Sequence, residues 1–310
     1  MEDQIFDVII IGGGPAGLSA ATYATRRSLK TLVLTSDIGG QISKSSHVEN
    51  YPGYEGITGI NLAMAFYNQA KKFGAAITFE EAKEIIKKDN LFEVKTHLKS
   101  YQCRALILAF GKKPRELGIP SEKEFRGKGV TYCATCDAPF FKDKTVIVVG
   151  GGNSALDAAL LSATYSKKVY LIHRSQFRAE QILLDKVNQL KNITVMTETE
   201  IKEIIGHDKV ESVMLSNGEK IETDGIIVEI GFVVDRSLIT GFLETDEKGQ
   251  VITNEMQETS VTGVFAAGDL TTTPYKQVVI AAGEGAKAAL ACFDFIQKHS
   301  GKKGILADWH

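Results

Sequence analysis

The clearest pattern of apolar and polar positions in the chain occurs twice. An unbroken apolar run rich in β-branched residues leads into a cluster of small residues, and a helical alternation follows. The first copy is Val8–Ile11, then Gly12-Gly13-Gly14-Pro15-Ala16-Gly17; the second is Val146–Val149, then Gly150-Gly151-Gly152-Asn153-Ser154-Ala155. Such runs predict buried strands, and the Ala-rich segments after them predict helices packed on a sheet. Each copy continues into a second strand, within "KTLVLTSDIGG" and "KKVYLIHRSQFRAE". Further apolar strands are expected at Ala105–Ala109, Ile226–Ile230 and Val264–Ala267. The last ends in Gly268-Asp269, ahead of a helix starting near Gln277.

Both small-residue clusters fit G-x-G-x-x-G/A, and each has a strand before it and a helix after it. The first glycine permits a tight turn, the second lets backbone approach a pyrophosphate, and the third small residue lets helix pack on strand. Two such units predict an α/β protein with two Rossmann-like, three-layer dinucleotide-binding domains. The second strand of each unit ends where an adenine ribose sits. In the first unit Thr35, Ser36 and Asp37 lie there. In the second, His173 and Arg174 lie there, with Arg178 expected one helical turn further on. A guanidinium favours a 2′-phosphate through bidentate bonds, so the second unit has the chemistry for NADPH. Asp269 at a strand end suits a sugar-alcohol chain, which suggests a flavin. Its Ala/Gly-rich surroundings belong with the first glycine loop. The economical arrangement is a nicotinamide domain inserted into a discontinuous FAD domain, with boundaries at 1–113, 114–240 and 241–310.

Composition changes this picture little. The chain has 310 residues, enough for two domains, with 44% hydrophobic and 24% charged residues and a net charge of −2. Nothing there favours nucleic acid or an anionic membrane as partner. No apolar run approaches the ~20 residues that span a bilayer. The N-terminus lacks the basic start and longer apolar core of a secretion signal, so a cytoplasmic location is expected.

Cysteine chemistry adds the most. Cys103 and Cys292 stand alone in apolar surroundings and read as buried hydrophobes. Cys133 and Cys136, in "TYCATCDAPF", are two residues apart and followed by Asp137. A zinc site would need a second ligand pair, and the six histidines are scattered, so no metal is expected. A reducing compartment disfavours a purely structural disulfide. A redox dithiol remains, with Asp137 as its candidate general acid/base.

With "GGGPAGLSAA", "GGQ", "VENYPG", "CATCD", "GGGNSALDAAL", "HR…FRAE" and "GVFAAGD" spread over its whole length, the chain resembles the low-molecular-weight thioredoxin reductases, class-II pyridine nucleotide-disulfide oxidoreductases. The resemblance implies a homodimeric flavoprotein passing electrons from NADPH through FAD to the Cys133/Cys136 dithiol, then to thioredoxin or a thioredoxin-like disulfide. It implies FAD contacts from Gly12, Gly14, Pro15, Ala16, Gly17, Ser36, Gly40, Gln41, Asn50, Asp269, Lys276, Gln277 and Val278. For the nicotinamide cofactor it implies Gly152, Asn153, Ser154, Ala155, His173, Arg174, Arg178, Ile230 and Gly231. It also implies that Cys136 faces the flavin, that Cys133 attacks the protein substrate, and that Phe140, Phe141 and Lys128 flank the partner site, whereas by residue type the two phenylalanines read as core. The chain departs from the family at His173-Arg174-Ser175, where a second consecutive arginine is usual, and this leaves NADH use open. Alternatives are an NADH-dependent or ferredoxin-linked reductase of a glutaredoxin-like protein or peroxiredoxin, or a non-catalytic flavin- or nucleotide-binding protein. Trp309, in the C-terminal tail, reads as part of a frayed end.

Overall fold

The computed structural model describes residues 5–45 and 48–300. The chain divides into two compact units. One comprises residues up to Ser43, Tyr51–Lys113 and residues from Val233 onward; the other comprises Lys44–Asn50 and Pro114–Phe232.

The first unit opens with β1 (Ile5–Ile11), α1 (Pro15–Arg26), β2 (Thr31–Leu34), α2 (Gly59–Lys72), β3 (Ala76–Thr78), β4 (Glu84–Lys88), β5 (Leu91–Lys95) and β6 (Ser100–Leu108). Its sheet has the order β3-β2-β1-β6-β5-β4. β3, β2, β1 and β6 are parallel, and β5 and β4 add as an antiparallel hairpin. The apolar runs are unbroken because both faces are covered. Val8, Ile10, Ala105 and Ile107 join the core formed with the alanines of α1, while Ile9, Ile11, Leu106 and Leu108 join the core on the other face. Alternate strand residues therefore serve different layers.

The chain leaves this unit within β7 (Lys113–Pro114). The second unit then runs α3 (Pro120–Glu124), β8 (Val130–Thr131), α4 (Ala134–Asp137), β9 (Thr145–Val149), α5 (Asn153–Tyr165), β10 (Lys168–Ile172), α6 (Gln181–Gln189), β11 (Ile193–Met196), β12 (Ile201–Gly206), β13 (Val210–Leu215), β14 (Lys220–Glu222) and β15 (Gly225–Val228). Five strands form a parallel sheet, β11-β10-β9-β15-β8, and β12-β13-β14 form a small antiparallel one.

The chain returns within β16 (Phe232–Val233), ahead of the boundary expected at 240. Val234 and Ile239 are the reason: both are buried in the first unit's core beside Val251 and Leu270. There β17 (Val264–Ala266) pairs in parallel with β6, and α7 (Val278–His299) follows. Small residues bring α1 and α7 together. A Cβ at Gly285 would stand 2.0 Å from the Ala16 carbonyl oxygen. The Ser19 hydroxyl donates to the Ala282 carbonyl at 2.7 Å. No helix among the described residues is long and apolar enough to cross a membrane.

Candidate active site

The two glycine loops end in the same way. Gly14 is the N-cap of α1, with Pro15 in its first turn, and Gly152 is the N-cap of α5; neither helix has a side-chain cap. A Cβ at Gly152 would meet nothing within 4 Å, and one at Gly14 only the Gly39 carbonyl oxygen at 4.0 Å. Two helix N-termini with no side-chain cap, each opening onto free space, fit a pyrophosphate that would take the remaining N–H bonds. Gly12 does the turning. Its φ is +119°, and a Cβ there would lie 2.4 Å from the Ala109 carbonyl oxygen.

Of the expected flavin residues, Lys276 lies near Asp269, and Ala16 lies against the neighbouring Gly268. Gly268 adopts φ +79° and donates its N–H to Glu284 Oε2 at 2.7 Å, while the Thr273 hydroxyl donates to Glu284 Oε1. Burial raises the pKa of Asp269, opposed by the charges of Lys276 and Lys112. Burial and the Lys276 charge pull Lys112 down to about 8. Lys276 donates to the Thr271 carbonyl at 2.8 Å, and Gln41 Nε2 to the Lys112 carbonyl at 3.2 Å. Gln277 caps α7 and Val278 opens it. Ser36 is exposed just past β2. Asn50 falls in the segment Lys44–Asn50, which groups with the second unit and not with these residues.

In the second unit His173 closes over its glycine loop. A Cβ at Gly151 would sit 2.3 Å from the imidazole ring, which is nearly buried and bonds Ser175 Oγ at 3.2 Å. Burial, then the charges of Arg178 and Arg174, lower its pKa. Both arginine side chains are exposed. Arg178 is not on a helix as expected: α6 starts only at Gln181, and Arg178 lies in the preceding loop with its N–H donated to the Gly151 carbonyl at 2.8 Å. Asn153 is already engaged, accepting from Glu180 N at 2.9 Å and donating to Glu180 Oε1 at 2.8 Å. Ser154 is exposed and Ala155 fully buried, while Ile230 and Gly231 follow β15.

Cys133 and Cys136 are joined by a disulfide, with their Cα atoms 5.3 Å apart. Cys133 is the N-cap of α4, and its Sγ accepts the Cys136 N–H at 3.2 Å. Asp137 follows, 7% exposed. Its Oδ2 accepts the Thr131 hydroxyl, while its buried Oδ1 has no hydrogen-bond partner among the described residues. Burial raises its pKa against that hydrogen bond. A carboxyl so placed is suited to hold a proton beside sulfur chemistry. Cys103 and Cys292 are buried thiols whose pKa burial pushes up, which makes them inert. Among the described residues no group of three or more His, Cys, Asp or Glu could hold a metal ion. Phe141 is buried with Val146, Ala155 and Leu156, as its residue type suggested and not at the partner surface the resemblance implied; Phe140 is half-buried. Trp309 lies outside the described residues.

Sequence reasoning missed four groups that the site contains. Thr131, Lys112 and Glu284 carry no local signal that separates them from ordinary polar residues. Glu229 does carry one: it is a single charge in the apolar run "GIIVEIG".

The chain matches the pyridine nucleotide-disulphide oxidoreductase family over residues 6–285. It is 41% identical to a thioredoxin reductase of Treponema pallidum, over 94% of this chain and 97% of that protein. It is 38% identical to a thioredoxin reductase of Bacillus subtilis, over 96% of each. The crystal structure of thioredoxin reductase from Streptococcus pyogenes is similar with a TM-score of 0.90 at 34% identity, covering 96% of this chain and 100% of that one. The chain therefore belongs to the pyridine nucleotide-disulphide oxidoreductase family. It is a disulfide oxidoreductase that uses a flavin and a nicotinamide nucleotide.

Proposed function

We propose that the protein is a thioredoxin-disulfide reductase that takes its electrons from NADPH through FAD. The observation that carries this reading is the Cys133–Cys136 disulfide at the head of α4, beside a buried carboxyl and in the unit that holds the second glycine loop. NADPH and a proton are consumed, and one disulfide of thioredoxin becomes two thiols. Bound flavin supplies the two-electron step between nicotinamide and sulfur.

The chain's own residues do the rest. The first unit would hold FAD through Gly12, Gly14, Pro15, Ala16 and Gly17, then Ser36, Gly40, Gln41 and Asn50. Asp269, Lys276, Gln277 and Val278 would complete the set. The second unit would hold the nicotinamide nucleotide through Gly152, Asn153, Ser154, Ala155, His173, Arg174, Arg178, Ile230 and Gly231. Arg174 and Arg178 favour a 2′-phosphate, hence NADPH over NADH. Once reduced, Cys133 bonds to one sulfur of thioredoxin and the other leaves as a thiolate. Cys136 then attacks Cys133 Sγ, the mixed disulfide breaks, and the second thioredoxin sulfur leaves. Asp137 moves protons from the attacking thiols to the leaving sulfurs.

The dithiol and the nicotinamide site belong to one unit and both must serve a flavin held by the other. They act in turn, with the crossings near Lys113–Pro114 and Phe232–Val233, which bound the long segment of the second unit, as the hinges. The family resemblance is the ground for two further parts of the proposal, a homodimer and a cytoplasmic location. Anaerobic mixing of the flavoprotein with NADPH or NADH, then with oxidised thioredoxin, tests the whole reading. Rapid bleaching by NADPH followed by thioredoxin reduction is expected; bleaching by NADH alone overturns the cofactor assignment.

A further inference from the structure

Glu229 is placed between the two reactive features of the second unit. Its N–H donates to the Val149 carbonyl at 2.7 Å, at the mouth of the glycine loop. Its own carbonyl stands 2.3 Å from where a Cβ on Gly150 would be. On the other side, β15 pairs in parallel with β8 through Ile227 and Thr131, and Glu229 and Cys133 each follow two residues after that last pair. Ile227 belongs to the core cluster containing Ala134, Val148 and Ala155. Glu229 follows β15 directly and brings a carboxyl to the first turn of α4. The Ala134 amide meets it there.

We propose that Glu229 is a positioning residue for the dithiol, whose protonation state controls how readily Cys133 forms a thiolate. The inference rests on the reductase reading above. The Cys136 N–H, which donates to Cys133 Sγ at 3.2 Å, would stabilise a Cys133 thiolate. An ionised Glu229 draws on the Ala134 N–H and adds a like charge nearby; a protonated one does neither. Reduction breaks the S–S bond, adds two electrons from the flavin and leaves two sulfurs that need two protons. Glu229 holds a proton at that moment when Cys133 stays ionised, and returns it to solvent when the disulfide re-forms.

Burial pushes the Glu229 carboxyl up to about 7, with the Ala134 amide opposing, so the switch lies in the neutral range. The elements around it carry few titratable groups. After β8 come Tyr132, whose hydroxyl donates to Glu122 Oε1 at 2.7 Å, and Cys133; α4 carries Cys136 and Asp137; past β9, α5 carries the exposed Asp157. His173, across the glycine loop, has a lowered pKa and is neutral at pH 7.

The test is the pH profile of Cys133 alkylation by iodoacetamide, followed by peptide mass spectrometry, in the reduced full-length C136S flavoprotein. The buried Cys103 and Cys292 are separated by peptide. Two steps are expected, one near pH 7 and one at the thiol's own titration. Adding Glu229→Gln should leave one step, moved to lower pH, with alkylation at pH 7 about three- to tenfold faster. A single step in C136S, or identical profiles in both chains, would overturn the proposal. The C136S profile alone is decisive if the double variant does not fold. Because alkylation needs no thioredoxin, a failure of the reductase reading would show separately, as absent turnover with the biphasic profile intact.

Discussion

Thr131 donates its hydroxyl to Asp137 across the CxxC turn, and the same oxygen accepts the Cys133 N–H at 3.3 Å. One hydroxyl thus links the backbone of Cys133 to the Asp137 carboxyl, the pair proposed as nucleophile and acid/base. Asp137→Asn keeps the shape but cannot carry a proton, so thioredoxin reduction should fall about 100-fold or more, with flavin bleaching by NADPH unchanged. Thr131→Val removes the hydrogen bond that lowers the Asp137 pKa. The acidic limb of the turnover–pH profile should then move to higher pH, because a base with a raised pKa stays protonated longer. An unmoved limb would assign that limb to another group.

The nucleotide preference should depend on charges that do little in the free protein. Arg174 and Arg178 are both exposed. Arg174→Ala should raise KM for NADPH about ten- to a hundredfold and leave KM for NADH nearly unchanged. Equal effects on both nucleotides would mean the arginine does not meet the 2′-phosphate.

The close approach of α1 and α7 sets up a stability test in the first unit. Gly285→Ala would force a Cβ to within 2.0 Å of the Ala16 carbonyl oxygen, and backbone must yield. Such overpacking costs about 1–3 kcal/mol, so thermal unfolding should fall by at least ~2–4 °C. Flavin retention on dialysis should fall with it, because Ala16 belongs to the loop assigned to the dinucleotide.

Glu229 also predicts how stability follows pH. Its folded-state pKa is raised from an ordinary 4.5 to about 7. Folding therefore favours the protonated form. The associated stability is complete below about pH 4.5 and is lost as pH rises through about 7. Glu229→Gln should accordingly unfold ~2–4 °C above the parent at pH 8, with the gap closing toward pH 4.5. A constant gap across that range would show that Glu229 does not titrate where burial places it.

Much of this was legible in the residues. The unbroken runs Val8–Ile11 and Val146–Val149 could only be strands covered on both faces, and the glycine clusters after them could only be turns into helices. The spacing of Cys133 and Cys136 allowed the disulfide that the structure shows, and the lack of a second ligand pair set zinc aside. What was illegible depends on contacts distant in sequence. Glu284 reaches the Gly268 N–H from a later helix, and Lys112 meets Gln250 across the first unit. The return crossing was expected late because Val234 and Ile239 look like loop residues until a core is built around them. Phe141 was legible as core by residue type, but its place under Gly225, whose missing side chain leaves room for the ring, was not.

The central claim is that electrons reach the protein substrate through Cys133 and Cys136. Anaerobic NADPH titration of the flavoprotein, with thiol counting under denaturing conditions, tests it most directly. The parent should take up one more NADPH per chain than C136S and gain two thiols from the opened disulfide, and on adding oxidised thioredoxin those two thiols should pass to thioredoxin as the Cys133–Cys136 disulfide re-forms. Equal NADPH uptake by the two chains, or thioredoxin turnover by C136S at the parent rate, would contradict it.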